Sequence, residues 1–285
     1  MKSIETFSTE KKDVWIWMDR FGEAKIKYDP TTEHRHDFYE FLFFETGEGA
    51  HLVDLTEFPV KSNSCYVLFP HQIHSFKHYS KPTGCVVRCY EEGLFSKKLN
   101  TLLVNMSFTS KSPVIFENDA DKFSEAMQLL NPLQYALRKY PNATNDIILH
   151  LFQAFLLNVL EIAGICDDSV NNSNSANLIV QFLRLVENKF TTAHTVKEYA
   201  EALLTTERKI STATQFYLGL NPLQIIHNRL LLEVKRLLLY ETSSQKEVAF
   251  KLGFDSSASY SHFIKSKTGL TPTELKGEIG KIHKL

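Results

Sequence analysis

Residues 244–272 read SQKEVAFKLGFDSSASYSHFIKSKTGLTP, and this stretch decides the fold of the C-terminal part of the chain. Ser244-x-x-Glu247 is a capping box, in which the hydroxyl accepts a first-turn backbone N–H and the carboxylate reaches back to the N–H of the cap. The helix it starts runs out at Gly253, four residues past the small Ala249. A small residue lets the next helix cross closely, and glycine takes the turn between them without steric cost. Asp255 is then placed to cap a second helix from Ser256 to about Lys267. Tyr260, Phe263 and Ile264 form its inner face, which leaves Ser257, Ser259, His262 and Ser266 outward, with Lys265 and Lys267 at its end. Short polar groups facing out near the start of a helix suit insertion into the major groove of DNA.

The unit occurs twice. GLNP at 219–222 returns as GLTP at 269–272, and Ala200 in EYAEAL matches Ala249 in EVAFKL at an offset of 49. Thr195-x-x-Glu198 and Thr271-x-x-Glu274 are further capping boxes. Between the copies, Asn221-Pro222 starts a long helix, because proline at the first helical position gives up only an N–H that has no intrahelical partner. Leu223, Ile226, Leu230, Val234 and Leu237 make an apolar stripe along it, so it can pack against both copies as a strut.

These residues resemble the AraC/XylS family of bacterial transcription regulators. The pattern A-x-x-x-G-F-x-x-x-x-x-[YF]-x-x-x-[FI]-K-x-x-x-G-x-[ST]-P is met by Ala249, Gly253, Phe254, Tyr260, Ile264, Lys265, Gly269, Thr271 and Pro272. The resemblance covers residues 178–285 and implies two helix-turn-helix units joined by a long helix. It places base-facing positions on Arg208, Ser211 and Thr212 in the first unit and on Ser257, Ala258, Ser259 and His262 in the second. A guanidinium can grip guanine O6 and N7 together, which makes Arg208 the strongest base reader, whereas Lys265 is assigned to phosphate. Within one chain the two recognition helices are expected in successive major grooves, about 34 Å apart. The first unit departs from the pattern at Leu204, where a turn-tolerant residue is common, and at Thr214, where an aromatic usually packs.

Upstream, residues 167–177 read DDSVNNSNSAN, which offers no apolar face to bury and is expected to be a linker. Before it, VWIWM, FYEFLFF, AHLVDL, CYVLFP and GCVVRCY are short, aromatic and β-branched segments separated by turn residues, and predict an antiparallel barrel or sandwich. Helices are expected over 121–140 and 145–163, the second with Ile148, Leu151, Phe152, Phe155, Leu156, Val159 and Ile162 at helical spacing. That is more apolar surface than one contact needs, so a second subunit is expected there. The expected organisation is a sensing and dimerisation domain over 1–166, a linker over 167–177 and a DNA-binding domain over 178–285. Charge divides the same way: residues 1–176 hold 17 Lys+Arg against 23 Asp+Glu, and residues 177–285 hold 15 against 10, so only the tail carries a basic surplus. With 43% hydrophobic and 23% charged residues, no secretory run at the start and no apolar stretch long enough for a bilayer, the chain reads as a cytoplasmic globular protein with no membrane partner. Four cysteines without C-x-x-C spacing read as reduced thiols.

One stretch stands apart. HRHDFYE at 34–40 places His34, His36 and Glu40 at one parity, so that a continuous strand would project all three from one face, and His74 in LFPHQIHSF adds a fourth group. Three histidines and a glutamate suit a first-row divalent metal. They also suit the wall of a sensing pocket, with Glu40 anchoring the sheet. The spacing H-x-H-x3-E-x6-G resembles the first metal motif of the cupin superfamily, and residues 69–74 resemble a second motif whose glycine is His71 here. The AraC/XylS resemblance implies a cupin-like barrel whose histidines need hold no metal. The expectation is therefore an α+β protein: a cupin-like antiparallel β-barrel with helices, followed by an all-α double helix-turn-helix domain. Its effector-binding set is His34, His36, Glu40, His74, Trp15, Trp17 and Tyr39, without a metal, a cofactor or catalytic residues. The expected function is a transcription regulator with promoter DNA, a small-molecule effector, a second copy of itself and RNA polymerase as partners. The rival reading is a metal-dependent cupin enzyme or isomerase whose helical tail serves only for association.

Overall fold

The computed structural model describes residues 6–7, 16–21, 29–54, 56–78, 81–90, 99, 102–103, 106, 114–140, 146–164, 174–240 and 243–282. The chain divides into two compact units, Ile4–Ser169 and Val170–Leu285.

The first unit is built on strands β1 (Thr6–Phe7), β2 (Ile16–Arg20), β3 (Arg35–His36), β4 (Tyr39–Thr46), β5 (Gly49–Val53), β6 (Thr56–Val60), β7 (Ser64–Leu68), β8 (His74–His78), β9 (Thr83–Cys89) and β10 (Val114–Phe116). A five-stranded sheet runs β10-β7-β4-β9-β2 and a three-stranded sheet runs β6-β5-β8. Every pairing within these two sheets is antiparallel, and the barrel takes the form of two facing sheets. Pro59 lies on β6, at the edge of the smaller sheet, where its missing N–H costs no ladder bond.

The central strand β4 explains why FYEFLFF reads as an almost unbroken apolar run: both its faces are covered. Leu42 and Phe44 point into a core shared with Val53 and Phe76 of the smaller sheet. Tyr39, Phe41 and Phe43 point the other way, into a second core with helices α1 (Ala120–Lys139) and α2 (Asp146–Ile162). Phe41 meets Phe152 and Phe43 meets Phe155, at ring separations of 6.4 and 5.5 Å. Glu40 is the one charged side chain on this buried stretch, and it shares a face with Leu42 and Phe44. Tyr39 therefore sits on the opposite face from Glu40 and packs on Phe69.

The second unit is helical: α3 (Asn174–Lys189), α4 (Val196–Ala202), α5 (Glu207–Leu218), α6 (Pro222–Tyr240), α7 (Gln245–Lys251), α8 (Ser257–Thr268) and α9 (Pro272–Ile282). The three capping boxes form as read: Glu198 Oε2 accepts the Thr195 N–H at 2.8 Å, Glu247 that of Ser244 at 2.6 Å, and Glu274 that of Thr271 at 2.8 Å. Asn221 Oδ1 accepts the Leu223 N–H at the start of α6. That helix packs on α3 and α5 on one side and on α7 and α9 on the other, as a strut should. Its buried stripe holds Ile225, Ile226, Leu230, Val234 and Leu238, while Leu223 faces out. Arg229 secures α6 to α3: its Nε donates to Glu187 at 2.8 Å, its Nη1 to Glu233 at 3.0 Å, and its guanidinium lies 3.8 Å from the centre of the Phe190 ring.

Two local expectations change. Residues 174–177, read as linker, are the first turn of α3, because the apolar run that follows extends the helix backward; residues 167–173 lie outside the described residues. Ser256, not Asp255, caps α8, its hydroxyl accepting the Ser259 N–H at 3.1 Å. Both residues are good caps in isolation, and the helix phase that buries Tyr260 and Ile264 selects the later one.

Candidate functional site

The first candidate is the outer face of the two recognition helices. Helices α5 and α8 are twelve residues each, begin at the caps Thr206 and Ser256, and end at glycines in the left-handed conformation, Gly219 with φ 65° and Gly269 with φ 78°. Helices α4 and α7 end in turns of different length. Leu203, Leu204 and Thr205 separate α4 from its neighbour's cap, whereas Leu252, Gly253, Phe254 and Asp255 separate α7 from the next. This single extra residue is why the repeat runs at an offset of 49 before the turn and 50 after it.

Both turns need a left-handed residue in the same place. Gly253 adopts φ 74°, and a Cβ there would lie 1.9 Å from the Thr191 carbonyl oxygen, so the turn is packed directly on the main chain. Leu204 adopts φ 50° with a side chain 96% exposed. The departure at Leu204 therefore leaves the turn intact, and α5 is capped and seated through Ile210, Ala213 and Thr214. Thr214 is fully buried, and its hydroxyl satisfies itself on the Ser211 carbonyl at 3.2 Å.

Register from the caps pairs Arg208 with Ala258, Thr212 with His262 and Gln215 with Lys265. Arg208, Thr212, Ser257, Ala258, Ser259, His262 and Lys265 are exposed, and Ser211 is half-buried. Thr212 back-bonds to the Arg208 carbonyl at 2.9 Å, and the Ser259 hydroxyl lies 3.0 Å from that of Ser256, so these two groups are engaged locally. Arg208, Ser211, Thr212, Gln215 and Phe216, with Asn221 and Pro222, line a shallow groove of about 530 Å³. Gln215 and the 73% exposed Phe216 were not among the expected readers. Gln215 was legible, since it stands seven residues after Arg208 on one helix face and holds the place of Lys265.

The second candidate lies inside the first unit. His34, His36, Glu40 and His74 are each no more than 2% exposed. They do not lie on one continuous strand, because the chain bends at Asp37 and Phe38 between β3 and β4. Instead His34 and His74 form an isolated antiparallel bridge, with N–H to carbonyl distances of 3.0 and 2.9 Å, and the His71 N–H donates to the His36 carbonyl at 2.7 Å. His71 holds φ 67°, so the histidine standing in the place of a glycine still makes the left-handed turn that brings His74 to His36. The ring centres of His34 and His36 lie 4.2 and 5.0 Å from that of His74.

Two of the rings are oriented by the main chain. His34 Nδ1 lies 2.8 Å from the Thr32 carbonyl and His36 Nδ1 lies 2.8 Å from the Phe38 carbonyl. A carbonyl only accepts, so each Nδ1 carries a proton. His36 Nε2 lies 3.6 Å from Glu40 Oε2. The other carboxylate oxygen, Oε1, accepts from Arg88 Nε at 2.6 Å, and Arg88 Nη1 donates to Asp19 at 2.8 Å. Burial alone would raise the Glu40 carboxyl, but Arg88 and His36 hold it well below the usual carboxylate range. Burial, with His36 and His34 alongside, holds the His74 imidazole well below the ordinary histidine value. Burial also lowers His34, against the hydrogen bond to Thr32.

Of the tryptophans, Trp17 reaches this region through Phe38, which it meets edge-on at 4.9 Å and which stacks on His36 at 4.2 Å. Trp15 lies outside the described residues. Among the described residues no helix is long and apolar enough to cross a membrane.

Comparison with known proteins matches both units. A family profile described as an AraC-like ligand binding domain covers residues 22–90, and one described as a helix-turn-helix domain covers residues 199–278. The HTH-type transcriptional activator RhaS of Yersinia pestis bv. Antiqua (strain Angola) is 23% identical over 297 residues, spanning 98% of this chain and 99% of the relative. RhaS of Yersinia pseudotuberculosis serotype O:3 (strain YPIII) is 22% identical over the same spans. Among solved structures, unsaturated fatty acid bound ToxT from Vibrio cholerae strain SCE256 is 14% identical, covering 94% of this chain and 97% of its own, with a TM-score of 0.40.

Proposed function

The chain belongs to the AraC/XylS family of transcription regulators, and from that membership we propose a one-component regulator whose helical unit grips promoter DNA while its strand unit takes up a small-molecule effector. The observation that carries this reading is the pair of like-capped helices, α5 and α8, each exposing a polar face beside a helix-turn-helix turn. Arg208 and Gln215 read base edges in one groove. Ser257 and His262 make the shorter contacts of the other, and Lys265 meets phosphate. The basic surplus of the tail adds a sequence-independent attraction that weakens with salt.

Effector binding between the two sheets shifts the population between two arrangements of the DNA-binding units in a homodimer, and hence which promoter spacing they hold together. The dimer, its contact with RNA polymerase and its place in the cytoplasm belong to this reading, as does the absence of turnover.

Mobility-shift titration on a promoter fragment, with substituted base pairs, tests the assignment. Arg208→Ala should relax discrimination at one base pair by about 1–3 kcal/mol and leave the others unchanged. Lys265→Ala should weaken all sequences alike and reduce the salt slope by about one. Uniform loss from both variants refutes the assignment.

A further inference from the structure

We propose that Phe216 is a base reader of the first recognition helix: its ring packs on the C5-methyl group of a thymine in the major groove and so selects a T·A pair beside those met by Arg208 and Gln215. The proposal rests on the reading that α5 enters the groove, and adds to it a contact of different chemistry.

Helical spacing puts the ring on the reading face. Arg208, Ser211, Thr212, Gln215 and Phe216 stand at i, i+3, i+4, i+7 and i+8, which an α-helix gathers into one stripe. All five line the same shallow groove. At about 1.5 Å per residue the stripe is roughly 12 Å long, matching the width of the major groove, so its two ends address different base pairs of one site.

The fold does without an aromatic side chain at this place in the second copy. Phe216 is 73% exposed, and α5 is seated through Ile210, Ala213 and Thr214 instead. Register from the caps sets Phe216 against Ser266, which is also exposed and whose hydroxyl donates to the Phe263 carbonyl at 2.8 Å. Two helices of equal length, alike in cap and in glycine ending, thus carry a large apolar group in one case and a small polar one in the other. What differs is what each offers outward. The Phe216 ring stands edge-on to that of Tyr217, with centres 4.9 Å apart, a contact that steadies it without covering it.

Chemistry then chooses the base. Toward the major groove adenine, guanine and cytosine present hydrogen-bonding groups, and covering these with a hydrocarbon leaves them without partners. Thymine adds a methyl group, and phenylalanine is one of the side chains that take it. Thr212, one turn earlier, has its hydroxyl proton committed to the Arg208 carbonyl at 2.9 Å, so it brings no donor to the same spot. The stripe therefore offers a guanidinium, an amide and a ring, three groups that favour three different bases.

The test uses a duplex that the full-length protein itself enriches from a random-sequence library. Each thymine of that duplex is replaced in turn by deoxyuridine, which removes the methyl group and keeps every hydrogen-bonding edge, and affinities are measured by mobility shift at one salt concentration. For the parent, replacement of one thymine should weaken binding about fourfold, the worth of burying a single methyl group. Phe216→Ser, which copies the second helix, should bind the thymine and uracil forms equally at that position and keep the parent's penalties elsewhere, while Phe216→Leu retains part of the preference. Each comparison is a ratio of two affinities from one preparation, so it does not depend on how much of a variant is folded. The proposal is overturned if no thymine loses its methyl preference in Phe216→Ser, including the case in which that variant weakens every duplex alike, as contact with the sugar–phosphate wall would. Failure to enrich any duplex contradicts the regulator reading and this proposal with it, whereas an enriched duplex with an unaltered methyl profile contradicts the role of Phe216 alone.

Discussion

Glycine at position 204 should make the protein more stable, and any side chain at position 253 should make it less so, although the two residues hold the same place in the two helix-turn-helix turns. Leu204 sits at φ 50° with its side chain 96% exposed, so its removal loses no packing. The left-handed conformation costs a residue with a Cβ about 1–2 kcal/mol, and glycine's greater freedom in the unfolded chain returns about 0.5–1 kcal/mol. The net stabilisation expected for Leu204→Gly is thus up to about 1.5 kcal/mol, or a rise in urea midpoint of up to roughly 0.5–1.5 M at the usual slopes. Gly253→Ala meets the same backbone strain and adds a Cβ 1.9 Å from the Thr191 carbonyl oxygen. Strain of about 1–2 kcal/mol and overpacking of about 1–3 kcal/mol, less about 0.5–1 kcal/mol for the unfolded chain's lost freedom, predict a loss of at least about 1 kcal/mol. Urea unfolding of the full-length protein, followed by far-ultraviolet circular dichroism, reads helix in both units, and the all-helical unit contributes the larger share. Fluorescence reads the other, because both tryptophans precede residue 20. A lowered midpoint for Leu204→Gly, or an unchanged one for Gly253→Ala, would refute the claim that the turn requires this conformation.

Two further outcomes are expected. Ser256→Ala should cost about 0.5–2 kcal/mol and weaken DNA binding, while Asp255→Ala changes the urea midpoint by much less, because only the former removes the cap bond to Ser259. His227 is lowered to about 4 by burial, with Lys267 and His194 adding to it, and its Nδ1 has no hydrogen-bond partner among the described residues. The folded unit then binds fewer protons than the unfolded chain between the ordinary value of 6.5 and about 4, so stability falls as pH falls through that window. His227→Leu should flatten the slope in urea midpoints measured from pH 7 to pH 4.5, and an unaltered slope would assign it to other groups.

The helical unit was legible because its signals are local. A capping box is read within four residues, and Thr195, Ser244 and Thr271 each make the bonds their neighbours imply. The strand unit was legible in outline through its aromatic runs, yet β8 and the edge strand β6 escaped, the first for want of alternation and the second because Pro59 argues against a strand. Tyr39 was within reach of the sequence, since alternation alone sets it opposite Glu40. The conformations at His71 and Leu204 were not, because neither residue announces left-handed backbone as a glycine does, and the His71 N–H is tied to a carbonyl thirty-five positions away, that of His36. The convergence of His74 on His36 likewise depends on a bridge between residues forty positions apart.

The two recognition helices are unequal copies. One carries Arg208 and Gln215 where the other carries Ala258 and Lys265, and the turns before them differ by a residue. The two heads are therefore not interchangeable: each offers different chemistry to whatever sequence it meets, so the two halves of a site that one protomer grips need not resemble each other.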